Sequence, residues 1–443
     1  MSQEKKQWIA IIMMFFLFAM IAFVTNLCSP MAVIVKNQFG ASNAAAQLGN
    51  SANFIAYLLM GIPSGMLLKK IGYKRTALLA IAIGFIGVFI QYMSGWESVQ
   101  SFWVYLIGAF IAGFCMCMLN TVVNPMLNIL GGGGNTGNQL IQFGGVCNSF
   151  AAVAVTIIMG SLIGDATKAQ ISDATPALFI ALGVFAAAFI VLLFAKIKEP
   201  ELERNVVAEE KKEIKSMAKA EKDPHSAFSF RHFNLGILAI FLYMGLEVGP
   251  PTYVLQYLTT AADAVTPGLG IDATIAGTIV AVYWFLMLVG RLLGGMVGAL
   301  VSSRKQIATV ASIAILFLLL GMFLPSDITV NMPGVDWANL KIITAQVPVG
   351  IMFFVLIGLC TSVMWGGIFN MAVEGLGKYT SIASGAFMTM VFGGGVLIPL
   401  QGWLADCTHS FLWSFLLVIL CAAYILFYAL VGSKNVNKEI VVD

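Results

Sequence analysis

Charged side chains are scarce in this 443-residue sequence: Asp, Glu, Lys and Arg together make up 10% of it, where water-soluble domains carry about a quarter. A chain so poor in charge cannot clothe a large solvated surface. Histidine is scarcer still, with three residues, His225, His232 and His409, all expected in loops or at the edges of apolar runs. They form no set with metal-ligand spacing, so neither a metal nor a cofactor is expected. The seven cysteines, Cys28, Cys115, Cys117, Cys147, Cys360, Cys407 and Cys421, include no C-x-x-C pair and read as small packing residues. A nucleophile with its base and orienting group is also missing, which argues against an enzyme. The glycine run GGGGNTG at 131–137 lacks the Lys and Ser/Thr of a phosphate loop and is expected to be a flexible connection. The net charge of +3 is spread over short loops and offers no nucleic-acid surface.

What the chain has instead is apolar length. Hydrophobic residues make up 59% of it and its mean hydropathy is +0.91. Apolar runs long enough to cross a ~30 Å hydrocarbon layer, which takes ~20 helical residues, recur throughout. Cutting at polar or Gly/Pro-rich breaks predicts about twelve spans, roughly 8–35, 43–68, 76–94, 101–128, 139–163, 176–196, 233–258, 272–300, 306–324, 346–370, 381–405 and 410–431. The first run is too long for a signal-peptide core and has no A-x-A-like cleavage site after it, so it reads as a retained span. Lys69, Lys70, Lys74, Arg75, Arg304, Lys305, Lys378 and Lys434 fall on one side of such a layout, and only Lys36, Lys168 and Lys341 on the other. The positive-inside rule therefore predicts a multi-pass protein of the cell (inner) membrane with both termini cytoplasmic.

The stretch after Lys196 has a charge density unlike the rest and divides the chain into an N-terminal six-helix bundle (1–196), a cytoplasmic linker (197–231) and a C-terminal six-helix bundle (232–443). Within the linker, EEKKEIKSMAKAEK has the composition of a surface helix. The halves echo one another. GMLLKKIGYKR (65–75) follows the second span and GGMVGALVSSRK (294–305) the eighth, while GSLIGD (160–165) and GWLAD (402–406) end the fifth and eleventh. Such an order points to internal duplication.

One stretch runs against the apolar pattern. In YMGLEVGPPTYV (243–254), Glu247 lies roughly 13 residues into its span, or ~20 Å at 1.5 Å per residue. Burying an ionisable group at that depth costs about 2.5–3.5 kcal/mol on insertion scales, so Glu247 is expected to face an aqueous cavity or a partner. Pro250 and Pro251 release backbone carbonyls and are expected to bend or break the helix where it lines protein or water. Other spans place neutral hydrogen-bonding groups in their interiors: Asn26 and Ser29, Asn120 and Asn124, Gln142 and Asn148, Tyr243 and Gln256, and Asn370. Amides suit a polyol, since each both donates and accepts. Tyr283, Trp284 and Trp365 are candidates to stack on the apolar face of a pyranose.

The two six-span halves, the long middle loop and the motif after span two resemble the major facilitator superfamily. NPMLNILG (124–131), NSF (148–150), YMGLEV (243–248), GR (290–291), WGGIFNMAVEGLG (365–377) and GGGVLIPLQGWLAD (393–406) are together similar to its fucose:proton symporter branch, which also holds glucose/galactose and N-acetylglucosamine carriers. The resemblance implies an all-α membrane protein of the major facilitator fold, working as a monomer by alternating access on a small-molecule sugar held between the bundles. Proton-coupled members carry an aspartate in N-L-N-D and a glutamate in L-E-T-A-A-N-P. Ser29 and Asn120 stand at those positions here, and LIQFGG (140–145) replaces R-L-N-L-A-Q. Coupling to a cation, proton or sodium, is therefore expected to fall to Glu247, unless that residue is a fixed acceptor for sugar hydroxyls. An exporter of amphipathic compounds and a non-transporting receptor or scaffold remain the alternatives.

Overall fold

The computed structural model describes residues 3–130, 134–163, 168–194, 225–297, 301–336, 341–376, 379–437 and 439–440. Among them are twelve helices long and apolar enough to cross a membrane. They run Trp8–Phe39, Leu48–Leu68, Tyr73–Met93, Phe102–Asn124, Phe143–Ile163, Thr175–Phe194, Arg231–Thr259, Ala273–Gly294, Ser303–Phe323, Gly350–Val373, Ala386–Thr408 and Phe411–Gly432, and are numbered below in that order. Each expected span has a counterpart. Most of the linker, with its expected surface helix, lies outside the described residues. So does the start of the glycine run; from Gly134 onward that run is already helical, opening the helix that carries span five.

An even number of crossings places both chain ends on one side, termed here the terminal face. On the opposite side, between spans nine and ten, lies a feature the hydropathy reading does not contain. Strand β1 (Thr329–Asp336) pairs antiparallel with β2 (Lys341–Pro348), in register from Thr329 opposite Pro348 to Asp336 opposite Lys341. The β-branched Ile342, Ile343, Thr344 and Val347 of KIITAQVP favour a strand once the chain leaves the lipid. The hairpin sits over the start of span eight, where a side chain at Gly334 would strike Ile275, and this side is termed the hairpin face.

The most extensive helix contacts between the first six spans and the last six are two. Span five packs along span eight, and span two along span eleven. Both use glycine to bring backbones together: a Cβ on Gly160 would fall on the Ala273 carbonyl and Gly277, and one on Gly395 would fall on the Ser51 carbonyl and Ile55 of span two. In KKIGYKR, Gly72 turns the chain from span two to span three with φ +83°, a conformation open to glycine at little cost. Lys74 then donates from Nζ to the Leu193 carbonyl at the end of span six, 2.9 Å away. This caps a helix terminus whose carbonyls lack intrahelical donors.

Candidate functional site

Span seven is one unbroken helix from Arg231 to Thr259 with Pro250 and Pro251 inside it, so the prolines do not break it. Having no N–H, Pro251 deprives the carbonyl four residues earlier, that of Glu247, of its helical donor. The donor comes from another helix: the Tyr283 hydroxyl on span eight bonds the Glu247 carbonyl at 2.7 Å. The same hydroxyl lies 3.2 Å from Thr361 Oγ1. Thr361 marks an interruption of span ten, whose helix stops there and resumes at Met364. Its carbonyl accepts from the Tyr243 hydroxyl at 3.2 Å. Two buried tyrosines thus stitch the proline turn of span seven to spans eight and ten. Tyr283→Phe is expected to leave the Glu247 carbonyl unpaired and to destabilise the fold by about 1–3 kcal/mol. Thermal unfolding in detergent reads this as a lowered midpoint, and an unchanged midpoint would show that another donor takes over.

The Glu247 side chain lies near mid-helix with a cation beside it. Its Oε1 is 3.7 Å from Nη2 of Arg291 on span eight, with the two side chains 14% and 16% exposed. Tyr243, one turn earlier on span seven, meets the same carboxylate. Arg291 also reaches across to the first half: Nη1 donates to the Gly145 carbonyl at 2.8 Å and to Ser149 Oγ at 2.9 Å, both on span five. A planar guanidinium with five donors is suited to such divided attachment. One arginine therefore links the membrane-embedded carboxylate to the opposite half of the molecule. Sequence reasoning noted Arg291 only as part of a motif, although a cation inside a span is as anomalous as an acid.

The other expected site residues separate by environment. Asn120 donates to the Tyr57 hydroxyl at 2.9 Å, and Asn124 to the Asn120 carbonyl at 2.9 Å. Asn26 donates within its own helix to Ala22, and Asn148 to the Phe18 carbonyl on span one. All four stay partly accessible, each with its side-chain oxygen uncommitted among the described residues. Trp365 is partly exposed and packs edge-on against Tyr243 and Phe387, and Asn370 is exposed. Tyr243, Tyr283 and Trp284, by contrast, are buried, with Trp284 edge-on to Tyr283. The Gln142 side chain lies outside the described residues.

Nearer the hairpin face, further polar groups join the halves, Ser29 among them. Ser29 Oγ lies 2.8 Å from Thr252 Oγ1. Lys36 Nζ donates to Asn43 Oδ1 at 2.6 Å and to Thr260 Oγ1 at 3.2 Å, and stands over the Phe411 ring. The Asp406 carboxylate on span eleven accepts from the Asn43 amide side chain at 2.7 Å and from the backbone N–H groups of Asn43 and Ala44, which open a short helix before span two. Asp406 thus adds to the cap that Ser42 supplies by accepting from the Ala45 N–H, but from the other half of the molecule.

Two sets of six spans meeting along a polar seam define a polytopic membrane transporter. The chain belongs to the Major Facilitator Superfamily, whose family model matches residues 14–399. It is 28% identical over 439 residues to a glucose/galactose transporter of Brucella abortus, covering 98% of this chain and 96% of that one. It is 23% identical to the L-fucose-proton symporter of Escherichia coli, covering 95% and 92%. Among solved structures, the transporter FucP in its outward conformation is similar with a TM-score of 0.65 at 20% identity, over 97% of this chain and 100% of that one. The inward-open xylose transporter XylE of E. coli matches with a TM-score of 0.67 at 11% identity, over 98% of each chain. These structural likenesses concern the fold.

Proposed function

We propose that this protein is a secondary active transporter that imports a neutral monosaccharide or amino sugar by alternating access, in symport with a cation, with Glu247 as the membrane-embedded acid. The observation that carries the reading is the Glu247–Arg291 pair, held near mid-membrane and tied through Arg291 to the other half. A carboxylate kept at that depth beside a movable partner is a natural place to bind and release a cation. The partly accessible amides of spans one, four and five supply donors and acceptors for hydroxyl groups. The names of the relatives support a sugar as cargo and make a proton the favoured cation. Uptake of labelled glucose and galactose into proteoliposomes, with imposed proton or sodium gradients, tests the reading. Accumulation driven by a proton gradient is expected; facilitated equilibration alone, or no uptake of either sugar, would overturn the symport or the sugar assignment respectively.

In this reading the protein is a monomer in the cell inner membrane, built of the bundles 1–196 and 232–443 joined by a cytoplasmic linker, and its terminal face is cytoplasmic. The basic residues of the short loops support that orientation. A cysteine introduced at Lys212, in a background where exposed Cys407 is replaced by serine, should react with an impermeant maleimide only from the cytoplasmic side. One at Asp336, closing β1, should react only from outside. The reverse pattern would refute the orientation.

A further inference from the structure

Between the Ser29–Thr252 contact and the Lys36–Thr260 contact, spans one and seven run side by side, and the two contacts lie about 10–12 Å apart along the helices. Gln256 stands midway, one turn from Thr252 and one from Thr260, so its side chain faces the same seam. It is 1% exposed, and neither its amide nitrogen nor its amide oxygen has a hydrogen-bond partner among the described residues. From the first half, Asn50 donates to Gln47 Oε1 at 2.9 Å and to Ser29 Oγ at 3.4 Å. Asn50 Oδ1 and Gln47 Nε2 are likewise buried and unpartnered, at 1% and 0% residue exposure. Buried amide groups are normally satisfied, because stripping them of water without a partner is unfavourable. Here four such atoms lie on elements that meet at this seam, two on span seven and two at the start of span two.

The groups at this level are all neutral, and each wall presents both a donor and an acceptor. The contacts sealing the seam at either end cross between the halves, so parting the halves on the hairpin face exposes Gln47 and Asn50 on one wall and Gln256 on the other. We propose that these three amides form a second, outer site for the same neutral sugar, which occupies it in the outward-open state and leaves it before the seam closes. The proposal rests on the sugar-carrier reading. The Ser29–Thr252 hydroxyl pair forms the floor of the site, and the Lys36–Asn43–Asp406 cluster closes over it. An amide pairs with a sugar hydroxyl in both senses, whereas an ion would find no opposite charge between floor and roof.

The test uses a carrier held open on the hairpin face. Tryptophan at Gly160 meets Ala273 and Gly277, and tryptophan at Gly395 meets Ser51 and Ile55, in both cases across the seam; Gly160→Trp with Gly395→Trp therefore prevents closure. In that background, Gln256→Cys should be labelled by impermeant maleimide from outside, at least tenfold faster than in the otherwise native carrier. Equilibrium binding of labelled D-glucose to the purified protein is expected to show two sugars per chain in the open variant, the second at least tenfold weaker, and one in the native carrier. Gln256→Met and Asn50→Leu, near-isosteric apolar replacements suited to buried positions, should each abolish the weaker site and leave the tighter constant within about twofold. A single site in the labelled, open variant would overturn the proposal, as would a second site that survives both substitutions. If the native carrier neither binds nor accumulates glucose or galactose, the sugar reading falls and the outer site with it. If it accumulates them but the open form holds one sugar, only the outer site falls.

Discussion

Glu247→Gln is expected to abolish accumulation of sugar against its gradient while leaving exchange of labelled for unlabelled sugar within a few-fold of the native rate. Glutamine keeps the length and planar end of the side chain and can still accept from Arg291. What it cannot do is gain and lose a cation. A carrier whose two faces are linked only by the sugar brings concentrations to equality, so the accumulation ratio should fall to one at any imposed proton gradient. The backbone of residue 247 keeps its bond from Tyr283, so the proline turn should be unchanged and the protein should fold. Persistence of gradient-driven accumulation with the native pH dependence would remove Glu247 from the coupling step. Loss of exchange together with accumulation would make the side chain a direct sugar ligand instead.

Glu247 was legible in the sequence because the signal is local: a carboxylate in an apolar run is anomalous whatever surrounds it. The twelve spans were legible for the same reason, since ~20 apolar residues in a row have few other uses. The hairpin was not, because an eight-residue strand outside the bilayer leaves little trace in a hydropathy pattern dominated by spans. The cross-half contacts were equally hidden. Ser29 and Thr252 are 223 residues apart, and no periodicity on either helix announces that the two hydroxyls meet. Asp406 was noted only as the end of a repeated motif, whereas in the fold it caps a helix of the other half. Tyr243 and Tyr283 were expected to meet sugar, one by hydrogen bonding and one by stacking, but both are buried and their hydroxyls are committed to carbonyls freed by a helix interruption and by a proline. The sequence shows that such carbonyls exist and not which side chains answer them.

Arg291 is the residue with the second largest expected effect. Removing one partner of a buried ion pair leaves the other charge desolvated, which costs about 3–5 kcal/mol in well-buried cases; both partners here are part-exposed, so the lower end applies. Arg291→Gln is therefore expected to lower the denaturation midpoint in detergent by the equivalent of about 3 kcal/mol or less. It should also cut transport at least tenfold, since the bonds to Gly145 and Ser149 are lost as well. Combining it with Glu247→Gln removes both charges, so the double variant should be more stable than Arg291→Gln alone, which a double-mutant cycle reads as a coupling energy between the sites. Arg291→Lys separates charge from geometry: an ammonium can stay near the carboxylate but cannot hold two parallel attachments as the guanidinium does. It should recover most of the stability and little of the turnover. A double variant no more stable than Arg291→Gln would show that the 3.7 Å contact carries no coupling, and native turnover in Arg291→Lys would show that the bridge to span five has no part in the transport cycle.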